Sequence, residues 1–136
     1  MNAKQVELSH HWLIKADHDI FAAKQMLSVP DAPTDIPCFH SQQAIEKSLK
    51  ALLTAYSLRF PKIHDLMKLL DLSLSVLPDL KSYRESFSEI SDFAIEVRYP
   101  EGLSDPSFED AQKAFNTAEQ VVNLIKKSIR AQTELK

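Results

Sequence analysis

Residues Ile36–Leu58 read IPCFHSQQAIEKSLKALLTAYSL, and the fold follows from how that stretch repeats. Cys38, Ile45, Leu49, Leu52 and Tyr56 recur at helical spacing and form one apolar stripe. Asp35 is placed to cap the N-terminus, and Pro37 falls in the first turn, where its missing N–H does no harm. Beside the stripe, Gln42, Glu46 and Lys50 follow one another at intervals of four, with Gln43 and Lys47 next to them. Two readings of that polar row stay open. It is a solvated face, or it lines a groove where binding or chemistry takes place.

The flanking sequence repeats the pattern. A first helix is predicted from about Lys4 to Leu27, with Leu13, Ala16, Ile20, Ala23 and Leu27 as its seam and Trp12 on the flank. Val29–Pro37 holds three prolines and cannot continue a helix. The second helix is predicted to end near Arg59–Pro61. A short third helix follows, from about His64 to Leu74. The fourth begins at Pro78 or Asp79, carries Leu80, Tyr83, Phe87, Ile90, Ala94 and Val97, and stops at Tyr99–Pro100. Ser107 and Asp110 form a capping box for the fifth helix, with Asp in place of the usual Glu. That helix carries Phe108, Ala111, Phe115, Ala118, Val122, Ile125 and Ile129. Apolar spacings that alternate between three and four pack helices at about 20°. The expected fold is all-α: an up-and-down bundle of four long helices plus one short helix, in a single domain over residues 1–136.

Composition narrows the function classes. One glycine among 136 residues leaves no dinucleotide-binding or P-loop phosphate cradle, each of which needs several at fixed spacing. A formal net charge of −3 gives no reason for unassisted binding to nucleic acid, and there is no DNA readout motif. The lone Cys38 excludes an internal disulfide and a multi-cysteine zinc site. No apolar run is long enough to span a membrane, and the N-terminus lacks a secretory segment, so a cytoplasmic location is expected.

Few residues carry candidate chemistry. The five histidines (His10, His11, His18, His40 and His64) show no i, i+4 pair, and the single E-x-x-H, Glu7–His10, has no second one to join it in a bundle core, so no metal is expected, and no cofactor. Cys38 lies near a helix start, which lowers a thiol's pKa, but also on the apolar stripe, where a buried thiol is inert. Arg98 follows the last core position of the fourth helix. It either clamps Glu46 or caps its own helix, or it joins Lys47 and Lys50 around a phosphate. His64, ahead of Asp65, is a helix-start residue or a general base.

Taken in order, the Trp early in the first helix, ADHDIFAAKQML (Ala16–Leu27), CFHSQQAIEKSLKALL (Cys38–Leu53), HDL (His64–Leu66), RYP (Arg98–Pro100) and SFEDAQKAFNTAEQVVNLI (Ser107–Ile125) resemble the HEPN domain family over nearly the whole chain. The resemblance implies a helical bundle, a homodimer, and a nucleotidyltransferase protein partner in a toxin–antitoxin-like pair, with binding of nucleotide or RNA. Many HEPN domains are metal-independent RNases whose Arg is followed by a His after four to six residues, His serving as acid or base and Arg meeting the scissile phosphate. Arg98 is followed by no histidine through Phe108. Arg59 and His64 have the spacing, but across a proline-containing loop ahead of the third helix. The reading that follows is a binding and interaction module, with Gln43, Glu46, Lys47, Lys50, Arg98 and Tyr99 as ligand-binding residues. The alternatives are a metal-independent endoribonuclease using Arg98 or His64, and a structural helical adaptor. Tyr99 is also, by its position, a candidate for modification by the partner.

Overall fold

In the computed structural model, residues 2–98 and 105–134 are described, with the side chains of 94–98 and 134 outside that description. Helix α1 spans Ala3–Leu27, α2 Asp35–Ala55, α3 Leu66–Ser73, α4 Arg84–Arg98 and α5 Phe108–Glu134, and no strand occurs among the described residues. The expected all-α bundle is what forms. Helix α2 touches each of the other four helices, while α1 and α5 also meet each other. Ala16 and Ala23 of α1 and Ala44 and Ala51 of α2 are all fully buried, and such small side chains let two helix axes come close. Ile45, Leu49 and Leu52 of α2 join Leu66, Leu69 and Leu70 of α3, Phe87 and Ile90 of α4, and Val122, Ile125 and Ile129 of α5 in one continuous core.

The ends of the helices have identifiable causes. Asn2 caps α1 through a reciprocal pair of bonds: its side chain accepts from the Gln5 amide at 2.8 Å, and the Gln5 side chain accepts from the Asn2 amide at 2.9 Å. Contrary to what its position in the sequence predicts, Asp35 does not cap α2. It is the first helical residue, and Thr34 is the cap, with no side-chain bond to its own helix. The Thr34 hydroxyl instead donates to the Pro106 carbonyl, tying the entry of α2 to the entry of α5. Helix α2 also ends earlier than the predicted Arg59–Pro61. Ser57 takes φ 60°, its amide bonds to the Thr54 carbonyl, and the Leu58 amide bonds to the Leu53 carbonyl at 2.9 Å. That is a Schellman stop built on serine instead of glycine.

Asp65 caps α3, its carboxylate accepting from the Met67 and Lys68 amides. The segment predicted to open the fourth helix, Pro78–Tyr83, is a 3₁₀ turn before α4. The predicted stop at Tyr99–Pro100 lies outside the described residues. At α5 the Ser107–Asp110 capping box is present, with bonds of 3.0 and 3.3 Å. Phe108 departs from the predicted core seam: it is exposed, at the first position of the helix. No helix among the described residues is long and apolar enough to cross a membrane.

Candidate functional site

The polar row of α2 faces inward. Gln42, Glu46 and Lys50 are 7, 3 and 6% exposed, while Gln43 and Lys47 are half-buried. A charged group in such a place is costly unless paired, so its partners define the site. Glu46 is the hub. One carboxylate oxygen accepts from Gln42 Nε2 at 3.5 Å, and the other meets Lys50 Nζ at 3.3 Å and His64 Nδ1 at 3.0 Å. Gln43 extends the network by donating to Gln42 Oε1 at 2.7 Å. The Lys50 ammonium also lies 5.4 Å from the centre of the Trp12 ring, a cation–π contact between α1 and α2.

His64 connects this interior to solvent. Its side chain is 74% exposed, on the segment between α2 and α3, although its Nδ1 contacts a carboxylate that is 4% exposed. The Glu46 carboxylate holds the imidazole by Nδ1, and Nε2 has no hydrogen-bond partner among the described residues. A buried acid that orients an exposed imidazole is the arrangement by which a histidine is held ready to take or give a proton. Arg59 and Lys62, on the same segment, are also exposed.

A second charged cluster was not legible in the sequence. Asp19 of α1 is 6% exposed; its two oxygens meet His40 Nδ1 at 2.8 Å and Lys47 Nζ at 2.7 Å, both on α2. Lys47 is therefore neutralised from α1. The i, i+7 spacing of His40 and Lys47 was the only available hint. Cys38 is a buried thiol, its pKa pushed up to about 11 by burial first and then by the charges of Asp110 and Asp35. It stays protonated and inert near neutral pH. Ser41 Oγ is the one buried side-chain polar atom among the described residues without a hydrogen-bond partner. The same residues hold no group of three His, Cys, Asp or Glu arranged for a metal. Arg98 closes α4, but its side chain, like Tyr99, lies outside the described residues.

The family model described as HEPN domain matches residues 9–129. The chain belongs to the HEPN family. It is similar to a protein of Methanocaldococcus jannaschii named "Putative toxin MJ1304", with 27% identity over 145 residues, covering 90% of this chain and 88% of that one. No solved structure matches the chain. The HEPN match takes in Trp12, Asp19, Glu46, Lys50 and His64, so both charged clusters lie within the family's span.

Proposed function

We propose that this HEPN protein is the toxin-type member of a pair completed by a nucleotidyltransferase, and that it engages RNA or nucleotide phosphate at the face bearing His64. One observation carries the reading: a buried glutamate holds an exposed imidazole by Nδ1 at 3.0 Å, beside a segment that also exposes Arg59 and Lys62. Family membership and the toxin name of the archaeal relative support the setting. Within the α2 row, Glu46 and Lys50 act as positioning residues, because their charged groups already satisfy each other. Gln43 and Lys47 flank them on the half-buried side. Arg98 supplies a guanidinium to the phosphate, and the adjoining Tyr99 is the position open to modification by the partner. The protein acts as a cytoplasmic, cofactor-free homodimer of a single domain.

The Glu46–His64 pair also favours a second reading, a metal-independent endoribonuclease in which His64 moves the proton. The two readings part in one experiment. Purified protein in EDTA is mixed with labelled RNA, and retention and cleavage are followed for wild type, His64→Ala and Arg98→Ala. Salt-sensitive retention without cleavage, weakened about tenfold in either variant, supports the binding module. Cleavage lost in His64→Ala makes the protein an RNase. Retention and cleavage indistinguishable from wild type in both variants would overturn the assignment of this face.

A further inference from the structure

Toward the opposite end of the α1–α2 pair lies a cleft of about 600 Å³, walled by Met26, Leu27, Val29, Pro33, Pro37 and Phe108. It forms because α1 stops at Ser28, Asp31 takes φ 58°, and the bond from Thr34 to Pro106 brings the start of α5 alongside the loop. Two of its apolar side chains face water: Val29 is 54% exposed and Phe108 56%. The volume is within the range of sites that enclose a ligand, about 300–1,000 Å³.

Asp31 is the one charged residue lining the cleft; four more acids stand close in sequence to its lining residues, and the nearest cation on the α1 side is Lys24, in that helix's last turn. Asp31 and Asp35 lie on the loop and α2 side, and Asp105, Glu109 and Asp110 on the α5 side, with no Lys or Arg in residues 28–39 or 105–112. Among the described residues none of the five is ion-paired; Asp110 accepts only from the Ser107 amide. The helix dipole accounts for acids in the first turns of α2 and α5, namely Asp35, Glu109 and Asp110. It does not account for Asp31 and Asp105, which precede those helices, nor for the exposed Phe108 that Glu109 and Asp110 follow.

We propose that this cleft docks a short basic segment of a partner protein, an apolar side chain entering between Val29 and Phe108 and flanking Lys or Arg residues meeting the carboxylates on either side. The acids come from two separate segments, the loop with the start of α2 and the start of α5, so one small cation would meet only some of them. A stretch of chain with cations before and after its anchor meets both. The inference is independent of the reading at His64.

The test uses a fluorescein-labelled decapeptide of alternating Lys and Leu, titrated with the full chain and followed by anisotropy. Binding is expected in the micromolar range and weakening with added salt. Phe108→Ala and the pair Asp31→Asn/Asp105→Asn should each weaken it tenfold or more. The pair Glu7→Gln/Glu119→Gln removes the same charge from exposed positions elsewhere and should leave it unchanged. All these substitutions lie at exposed positions, and circular dichroism confirms that each variant is folded. The proposal fails if folded wild type does not bind, if Phe108→Ala binds as well as wild type, if the control pair weakens binding as much as Asp31→Asn/Asp105→Asn, or if a Lys–Ser peptide binds as tightly as Lys–Leu.

Discussion

Lys50 has no exit to water, and its value to the protein lies in what it leaves behind when removed. Glu46 would remain buried with only His64 and Gln42 as partners, and His64 itself spends its exposed face in solvent. Breaking a buried ion pair from one side costs about 3–5 kcal/mol. Lys50→Met keeps an apolar side chain of similar length but removes the charge, and with it the contact to the Trp12 ring, so a loss of about 3 kcal/mol in denaturant unfolding is expected. A loss below about 1 kcal/mol would show that water reaches the Glu46 carboxylate and that the row is less enclosed than its 3% exposure indicates. The i, i+4 repeat of Gln42, Glu46 and Lys50 was legible in the sequence, but the side it faces was not. A polar row reads the same on a wet or a dry face, and only the approach of α1 and of the segment carrying His64 decides. The same holds for Asp19. In the run ADHD it is chemically identical to Asp17, yet Asp17 is exposed and reaches Lys126, while Asp19 is buried against α2.

Where a helix boundary depends on a side chain reaching its own backbone, the sequence is a good guide. Ser107 and Asp110 are an instance. Ser107 Oγ accepts from the Asp110 amide at 3.0 Å, and nothing else among the described residues bonds that hydroxyl. Ser107→Ala should therefore cost about 1 kcal/mol of stability. Hydrogen exchange should locate the loss: faster exchange confined to the first turn of α5 is expected, and uniform acceleration along the helix would mean that the cap supports more than its own turn. Boundaries set by backbone conformation were harder to read. The end of α2 was displaced by several residues because Ser57 adopts a left-handed conformation that glycine normally marks, in a chain with one glycine. Its hydroxyl accepts from Gln5 of α1, a long-range contact that offsets the strain and that no local pattern reports. The 3₁₀ turn at Pro78–Tyr83 went unread for a related reason, since Leu80 and Tyr83 fit either period over so short a run.

At the scale of the whole molecule, α1 carries apolar side chains on more than one side. Its inner side places Ala16 and Ala23 against α2; Ile14 and Phe21, seven residues apart on one outer flank, are 51 and 66% exposed, and Leu8, on a different flank, is 45% exposed. Three large apolar side chains at water along one helix are a common mark of a surface that another protein covers. Ile14, His18 and Phe21 alternate spacings of four and three, the period at which two helices pack side by side along their length. That pattern was present in the sequence but overshadowed by the stronger inner seam, because a second stripe on a helix has no assignable side until the first is seen to be buried. If α1 pairs with α1 of a second copy, light scattering will give about twice the 15.4 kDa chain mass, and the thermal midpoint will rise with protein concentration, as mass action requires. Ile14→Ser together with Phe21→Ser should then halve the mass and abolish the concentration dependence while leaving the helical content intact, since both side chains lie outside the core. A variant that retains the dimer mass would move the interface off α1. A wild type that is monomeric at every concentration would rule out self-pairing through α1.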